Sequence, residues 1–223
     1  MHVADLGVAT YLLWNCMYEM LVELGGSYAS PLRALGQILT MIQLIAKDLD
    51  AESPLFDLTI GMIIAGPNDA PKLKVKAGEA RHLVPIMCCV LRTFFDTSSA
   101  HGKLRMYCAN ALRDCYREMD EWSDGSATRL GRFGRQFVLL YNDLHLERMM
   151  IDPWSMRWRL YPKHHMFIHI CESGFPPKST WTYWDESTIG ECAQLCARCH
   201  PAKLAVTPIS KHRHLEYGLL QAS

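Results

Sequence analysis

The sequence predicts a mostly α fold, a single irregular multi-helix domain over 1–223 with little or no sheet. Three observations support this. Apolar residues recur every three to four positions through most of residues 1–152. Helix start and stop signals bracket those stretches, as at Gly25-Gly26 and Ser30-Pro31. The composition, 223 residues with 49% hydrophobic and 21% charged, is that of a globular domain and excludes disorder and collagen-like repeats.

Taken in order, the first helix runs from Asp5 to Leu24, where Asn15, Glu19 and Glu23 form one narrow polar stripe on a helix otherwise buried. Gly25-Gly26 ends it, because glycine tolerates the left-handed conformation that follows a helix C-terminus. Ser30 caps the second helix with Pro31 at its first position, and Leu32, Leu35, Ile38, Leu39, Ile42, Ile45 and Leu49 give its apolar face. The two should pack as an antiparallel pair. Residues 51–76 are ambiguous: either Asp57-Leu58-Thr59 caps a short helix through Ile64, or Leu58–Ala65 is a buried strand. Gly66-Pro67-Asn68-Asp69 is a loop, followed by an alternation of Lys72, Lys74 and Lys76.

A helix follows over Ala77–Phe95, with Pro85 either kinking it or marking a second start. Leu104, Cys108, Leu112, Cys115, Met119 and Trp122 mark the next, and Ser123-Asp124-Gly125-Ser126 turns the chain. Leu130, Phe133, Phe137, Leu140 and Leu144 mark another, ending near Asp152-Pro153. Residues 153–223 form a more irregular, basic part and an alternative subdivision. It holds a helix near Lys163–Glu172, a Pro-rich loop at Phe175–Lys178, a segment at 180–184 open to an extended reading, a capping box at Thr188 and Glu191, and a last helix from Thr207-Pro208.

Lys+Arg and Asp+Glu each count 23, so the formal charge is zero, which disfavours a freestanding nucleic-acid binder. The sum hides an asymmetry. Residues 1–60 carry two basic and seven acidic side chains, −5, whereas 126–214 carry twelve and seven, +5. No apolar run reaches the ~18 residues of a membrane span, so no membrane partner is expected. The opening MHVADLGVAT lacks a basic region ahead of an apolar core, so no secretory signal is read. Nine scattered cysteines, an odd number, suit reduced core thiols and an intracellular home, nucleus or cytoplasm.

The sharpest local pattern is Cys196-Ala197-Arg198-Cys199-His200, the CxxCH spacing of covalent haem attachment. That attachment belongs to oxidising export compartments, which disfavours haem here. Cys192, Cys196, Cys199 and His200 supply ligand types that zinc prefers, but adjacent Cys199 and His200 point apart on a helix. The simpler reading is a buried cysteine stripe, and no cofactor is assigned. His165 and His169 lie one turn apart, a spacing that grips a metal, yet Met166 stands where a zincin has its Glu. The plainer expectation is one solvent-facing imidazole and one half-buried, hydrogen-bonded one.

Between Arg148 and His165, Arg157, Arg159 and Lys163 interleave with Trp154, Trp158 and Tyr161. Such a mixture stacks bases and neutralises phosphate, or else anchors an irregular segment by its Trp residues. Lys211 and Arg213 add a weaker basic cluster. There is no Walker loop, GxGxxG, GxSxG or HExxH, and no catalytic residue is assigned.

Three stretches carry a family resemblance: MHVADLGVATYLLWNCMYEML at 1–21, APKLKVKAGEARHLVPIM at 70–87, and PKHHMFIHI with WTYWDESTIGECAQL within 162–195. In that order they resemble a multi-copy protist family that looks transposon-derived, and the helical region of DDE transposases of the CACTA group. In such enzymes two Asp and one Glu hold two magnesium ions. The resemblance matches His2 to the His of an Asp-x-Met-His start, whose Asp would precede Met1, and leaves Glu172 and Glu186 as alternatives for the Glu. It implies a truncated, non-catalytic, transposase-like helical protein with weak DNA binding through Arg157, Arg159, Lys163, Lys211 and Arg213. The alternatives are a helical interaction or scaffold protein that binds other protein chains, and a Cys/His metal or haem protein centred on residues 192–200.

Overall fold

The computed structural model describes residues 3–25, 31–51, 55–63 and 71–177. The chain divides into two compact units, Met1–Ser179 and Thr180–Ser223, and the second lies outside the described residues. Among its described residues the first holds seven α-helices: α1 (Thr10–Gly25), α2 (Pro31–Asp48), α3 (Ile60–Ile63), α4 (Ala77–Phe94), α5 (Ala100–Asp120), α6 (Ser126–Ile151) and α7 (Pro162–Glu172). No strand occurs among the described residues, so the mostly α expectation holds and the strand reading of 58–65 gives way to the short α3. Nor is any helix among them long and apolar enough to cross a membrane.

The expected first helix is broken at its start. Ala4–Ala9 is a π-helical turn in which Gly7 leaves helical geometry (φ −113°, ψ −106°), and α1 begins only at Thr10. Gly7 O accepts both the Thr10 backbone N–H and, at 2.9 Å, the Thr10 hydroxyl, which together hold the junction. Asp5, fully buried, accepts the Tyr116 hydroxyl at 2.6 Å, tying the turn to α5.

α1 is buried over most of its length and packs against α2 and α4. The buried stripe of α2 is Ala34, Leu35, Ile38, Ile42 and Ala46, while the expected Leu32 and Leu49 at its ends are exposed. Leu55, Leu58 and Ile63 are buried, and the Trp14 indole donates to Ile63 O. Residues 71–76 then cross as an extended strap. Leu73 is buried and its N–H donates to Thr10 O at 3.0 Å, while Lys74 N–H reaches Met62 O at 3.2 Å. The alternation of extended backbone turns Lys72, Lys74 and Lys76 outward on either side of Leu73 and Val75.

α4 is one continuous helix with Pro85 inside it. Its start is fixed by Glu79, whose carboxylate accepts the Lys76 N–H at 2.8 Å. Ser99 caps α5 by accepting Gly102 N–H at 3.0 Å, and a Cβ on Gly102 would lie 2.2 Å from Asp96 O. The most extensive pairing is α5 on α6, followed by α6 on α7. At Gly134 a Cβ would meet Cys171 at 2.6 Å, so only glycine lets α7 sit this close to α6. The six described cysteines are free, and burial pushes the thiols of Cys16, Cys88, Cys108 and Cys115 up, Cys88 to about 12. They pack as small hydrophobes. α7 rests on α6 and on the π-helical turn, so residues 162–172 share the packing of the bundle.

Candidate nucleic-acid interface and a buried charge network

Two charged regions lie at different levels of α1. The first is built on Asn15, Glu19 and Glu23, whose stripe turns inward at its first two members, Asn15 at 2% and Glu19 at 6% exposed, and reaches the surface at Glu23. A buried amide or carboxylate must find partners or cost stability, and here they arrive from far along the chain. Asn15 Nδ2 donates to Tyr11 O at 2.8 Å and Tyr141 Oη at 2.9 Å, and its Oδ1 accepts the Trp158 backbone N–H at 2.7 Å. Glu19 Oε1 accepts the Trp158 indole at 2.7 Å, and Oε2 accepts His101 Nε2 at 2.9 Å and Arg105 Nη1 at 3.2 Å. Arg105, 3% exposed, also donates to Glu23 at 2.8 Å.

His101 Nδ1 lies 2.8 Å from Glu147 Oε2 on α6. An ionised carboxylate has no proton to give, so two carboxylate neighbours require both ring nitrogens to donate, and His101 is an imidazolium. The Glu19 hydrogen bond raises its pKa against the opposing effect of burial, with Glu147 adding to the rise. For Glu19, burial pushes upward, but the His101 bond and charge, with Trp158 and Arg105, outweigh it and hold the carboxyl below its ordinary value. Trp158 is fully buried yet has φ +55°, a left-handed conformation unusual for a bulky residue. Its two bonds to α1 hold it there. The adjoining cavity, about 260 Å³, is lined by Glu19, Glu23, His101, Glu147, Arg148 and Arg157 among others. Both nitrogens of His101 are engaged, so the network is suited to holding three elements together and offers no free base.

The second region is a groove of about 550 Å³ where the strap passes the π-helical turn and α7. Lys72, Lys74, Lys76 and Lys163 line it with Leu6 and Thr10; among the described residues Glu79 is the single acid there, engaged in capping α4. Lys163 Nζ donates to Leu6 O at 3.3 Å. Burial lowers its pKa, and the like charge of Lys72 lowers it further, a sign that the two ammonium groups feel each other. Four ammonium groups beside one carboxylate give a locally positive surface that phosphate would neutralise.

The expected basic set is therefore divided. Lys163 joins the groove, whereas Arg157 packs over the Tyr18 ring at 5.4 Å and lies 3.9 Å from Glu19. Arg159 is exposed beside Met156 Sδ at 3.4 Å. Trp158 is an anchor and is inaccessible for stacking, while Trp154 is 91% exposed. Lys211, Arg213, Cys192, Cys196, Cys199 and His200, with Glu186 and His2, lie outside the described residues. Glu172, the other resemblance-derived acid, pairs with Arg135 on α6.

Of the α7 histidines, His165 and His169 are both exposed, with Nε2 atoms 3.0 Å apart, so the expected half-buried partner is neither. The buried one is His164, stacked among Tyr11, Phe137 and Tyr141, its Nδ1 3.1 Å from the Tyr161 N–H. Burial drives its pKa down to about 4. Among the described residues no group of three or more His, Cys, Asp or Glu is arranged to hold a metal. No protein-family model, curated protein or solved structure matches the chain.

Proposed function

We propose that the helical domain is a non-catalytic, transposase-like nucleic-acid-binding module that holds the phosphate backbone in the Lys72/Lys74/Lys76/Lys163 groove. One observation carries the reading: Lys163 on α7 meets the three strap lysines across a groove whose one carboxylate among the described residues is committed to a helix cap. The resemblance to DDE transposases supplies the second support, since it points independently to DNA. The N-terminus of α4 opens beside the strap and adds a modest positive potential.

Phosphate-backbone binding of this kind is sequence-independent and falls steeply with salt. Duplex DNA binding by the full chain, followed across salt concentrations, should give a log–log slope in which each phosphate neutralised by a lysine accounts for about 0.9. Changing Lys72, Lys74, Lys76 and Lys163 together to Ala should flatten the slope by up to about 3.6. No binding at low salt, or an unchanged slope in the fourfold variant, rejects the reading.

A second reading, a helical interaction module for other protein chains, is favoured by the exposed Leu146, Met150, Ile151 and Trp154 at the end of α6. It predicts concentration-dependent association or partner capture that Met150→Ser and Trp154→Ser abolish and the lysine changes leave untouched.

A further inference from the structure

We propose that His165 and His169 form a two-histidine site for a late first-row divalent metal ion on the exposed face of α7. Positions i and i+4 stand one above the other on a helix, and here the two Nε2 atoms lie 3.0 Å apart. The rings meet nearly at right angles, 84°, with centroids 4.5 Å apart. Met166 and Glu172 beside them are exposed as well, so solvent reaches the site.

The 3.0 Å separation is the length of the rings' own hydrogen bond, so it shows that both nitrogens reach one place and does not set the metal-bound spacing. With metal–nitrogen bonds of about 2.0–2.1 Å, a cis pair in a square-planar or octahedral shell stands roughly 3 Å apart, so nickel(II) or copper(II) is held with little ring movement. In the free protein one ring donates its Nε2 proton to the other. Binding requires that ring to carry its proton on Nδ1 instead, a tautomer change that leaves both rings neutral and each with a lone pair for the metal.

The platform is stiff. Gly134 lets α7 pack directly on α6 through Cys171, and Phe167 and His164 bury the opposite face of the helix. The two ligands thus project from a fixed stretch of backbone, and the remaining coordination positions face water or an incoming side chain. With only two protein ligands among the described residues, this is an exchangeable site and no closed structural one.

The test is nickel(II) titration of the full chain by calorimetry near pH 8, where imidazole is neutral. The background carries Cys192→Ser, Cys196→Ser and Cys199→Ser, so that thiolates do not compete; nickel also avoids the thiol oxidation that copper(II) would bring. One equivalent should bind, and His165→Ala or His169→Ala should each weaken it on the order of a hundredfold by removing one of two linked ligands. Both positions are exposed, and unchanged circular dichroism will show that the variants fold. Nickel affinity that is equal in the background and in both His variants overturns the proposal, as does a background that binds no nickel.

Discussion

The Glu19 network and the lysine groove lie one on each side of α1 in chain order, Asn15 to Glu23 at one level and Thr10 at the other, and they treat charge in opposite ways. Around Glu19 each carboxylate meets a cation: Arg105 serves Glu19 and Glu23, and His101 serves Glu19 and Glu147. In the groove, among the described residues, the cations gather with one carboxylate, and that one caps a helix. A buried charge without a partner costs several kcal/mol, so the inner cluster has to be neutralised by the protein itself. An exposed cluster of like charge stays hydrated and within reach of a ligand from outside. The difference assigns stability to one region and binding to the other, and that assignment can be broken by experiment.

The largest effect is expected at Glu19. Replacing it by Ala leaves the buried Arg105 and the half-buried His101 with one anion fewer and releases the strained Trp158, at a cost of about 3–5 kcal/mol. Glu23→Ala, at a side chain 45% exposed, should cost about 1 kcal/mol or less. Urea denaturation of both variants checks this; equal losses would show that burial does not distinguish the two acids. Neither change should alter the salt slope of DNA binding in the folded protein.

Two histidines give opposite pH slopes. His101 is raised in the folded chain, so its contribution is full below its ordinary pKa of about 6.5 and is lost as pH rises through the folded value. Glu19 and Glu23 from α1, Arg105 from α5 and Glu147 and Arg148 from α6 surround it. His164 is depressed to about 4, so the unfolded chain takes up a proton between about 6.5 and 4 that the folded chain refuses, and stability falls as pH drops through that window. Thermal melts should show His101→Gln most destabilising near pH 6, with the gap to the parent closing as pH rises. His164→Phe should remove the acid-side loss over the same range while leaving the alkaline side unchanged. A gap in His101→Gln that is constant with pH would mean that the imidazolium clasp does not form.

How far these regions are legible in the sequence follows the same division. The helical spacing, the Pro31 start and the turn before Ser126 are local, and each stands where the pattern places it. The four-residue spacing of Asn15, Glu19 and Glu23 is visible too, but its direction is not. A polar stripe faces water unless partners reach it, and here they are His101, Arg105 and Trp158, more than 80 residues away in sequence. The groove divides similarly: the alternation Lys72, Lys74, Lys76 carries the period of two that an extended strap requires. That Lys163 meets them depends on α7 docking against the π-helical turn, which no local signal reports. Gly131 and Gly134 are the overlooked clue to that docking, two glycines one turn apart where a neighbouring helix lies close. The break at Gly7 escapes the pattern because periodicity alone carries the helix through it.

The smallest effect on stability, and the sharpest test of the comparison, is expected in the groove. Lys72, Lys74 and Lys76 are exposed, and the backbone of the strap, through Leu73 and Lys74, ties it to Thr10 and Met62. Single changes to Ala should stay within about 0.5 kcal/mol, and removing like charges from one another can even stabilise slightly. Lys163→Ala also gives up the bond to Leu6 O and some packing of its stem, so about 1 kcal/mol is expected there. If the groove exists for a ligand, these same changes should cost little in urea and much in DNA affinity at low salt. If instead the lysine changes unfold the protein and leave binding intact wherever it remains folded, the strap is a structural element. The division between an inner region that serves stability and an outer one that serves binding then fails at its outer half.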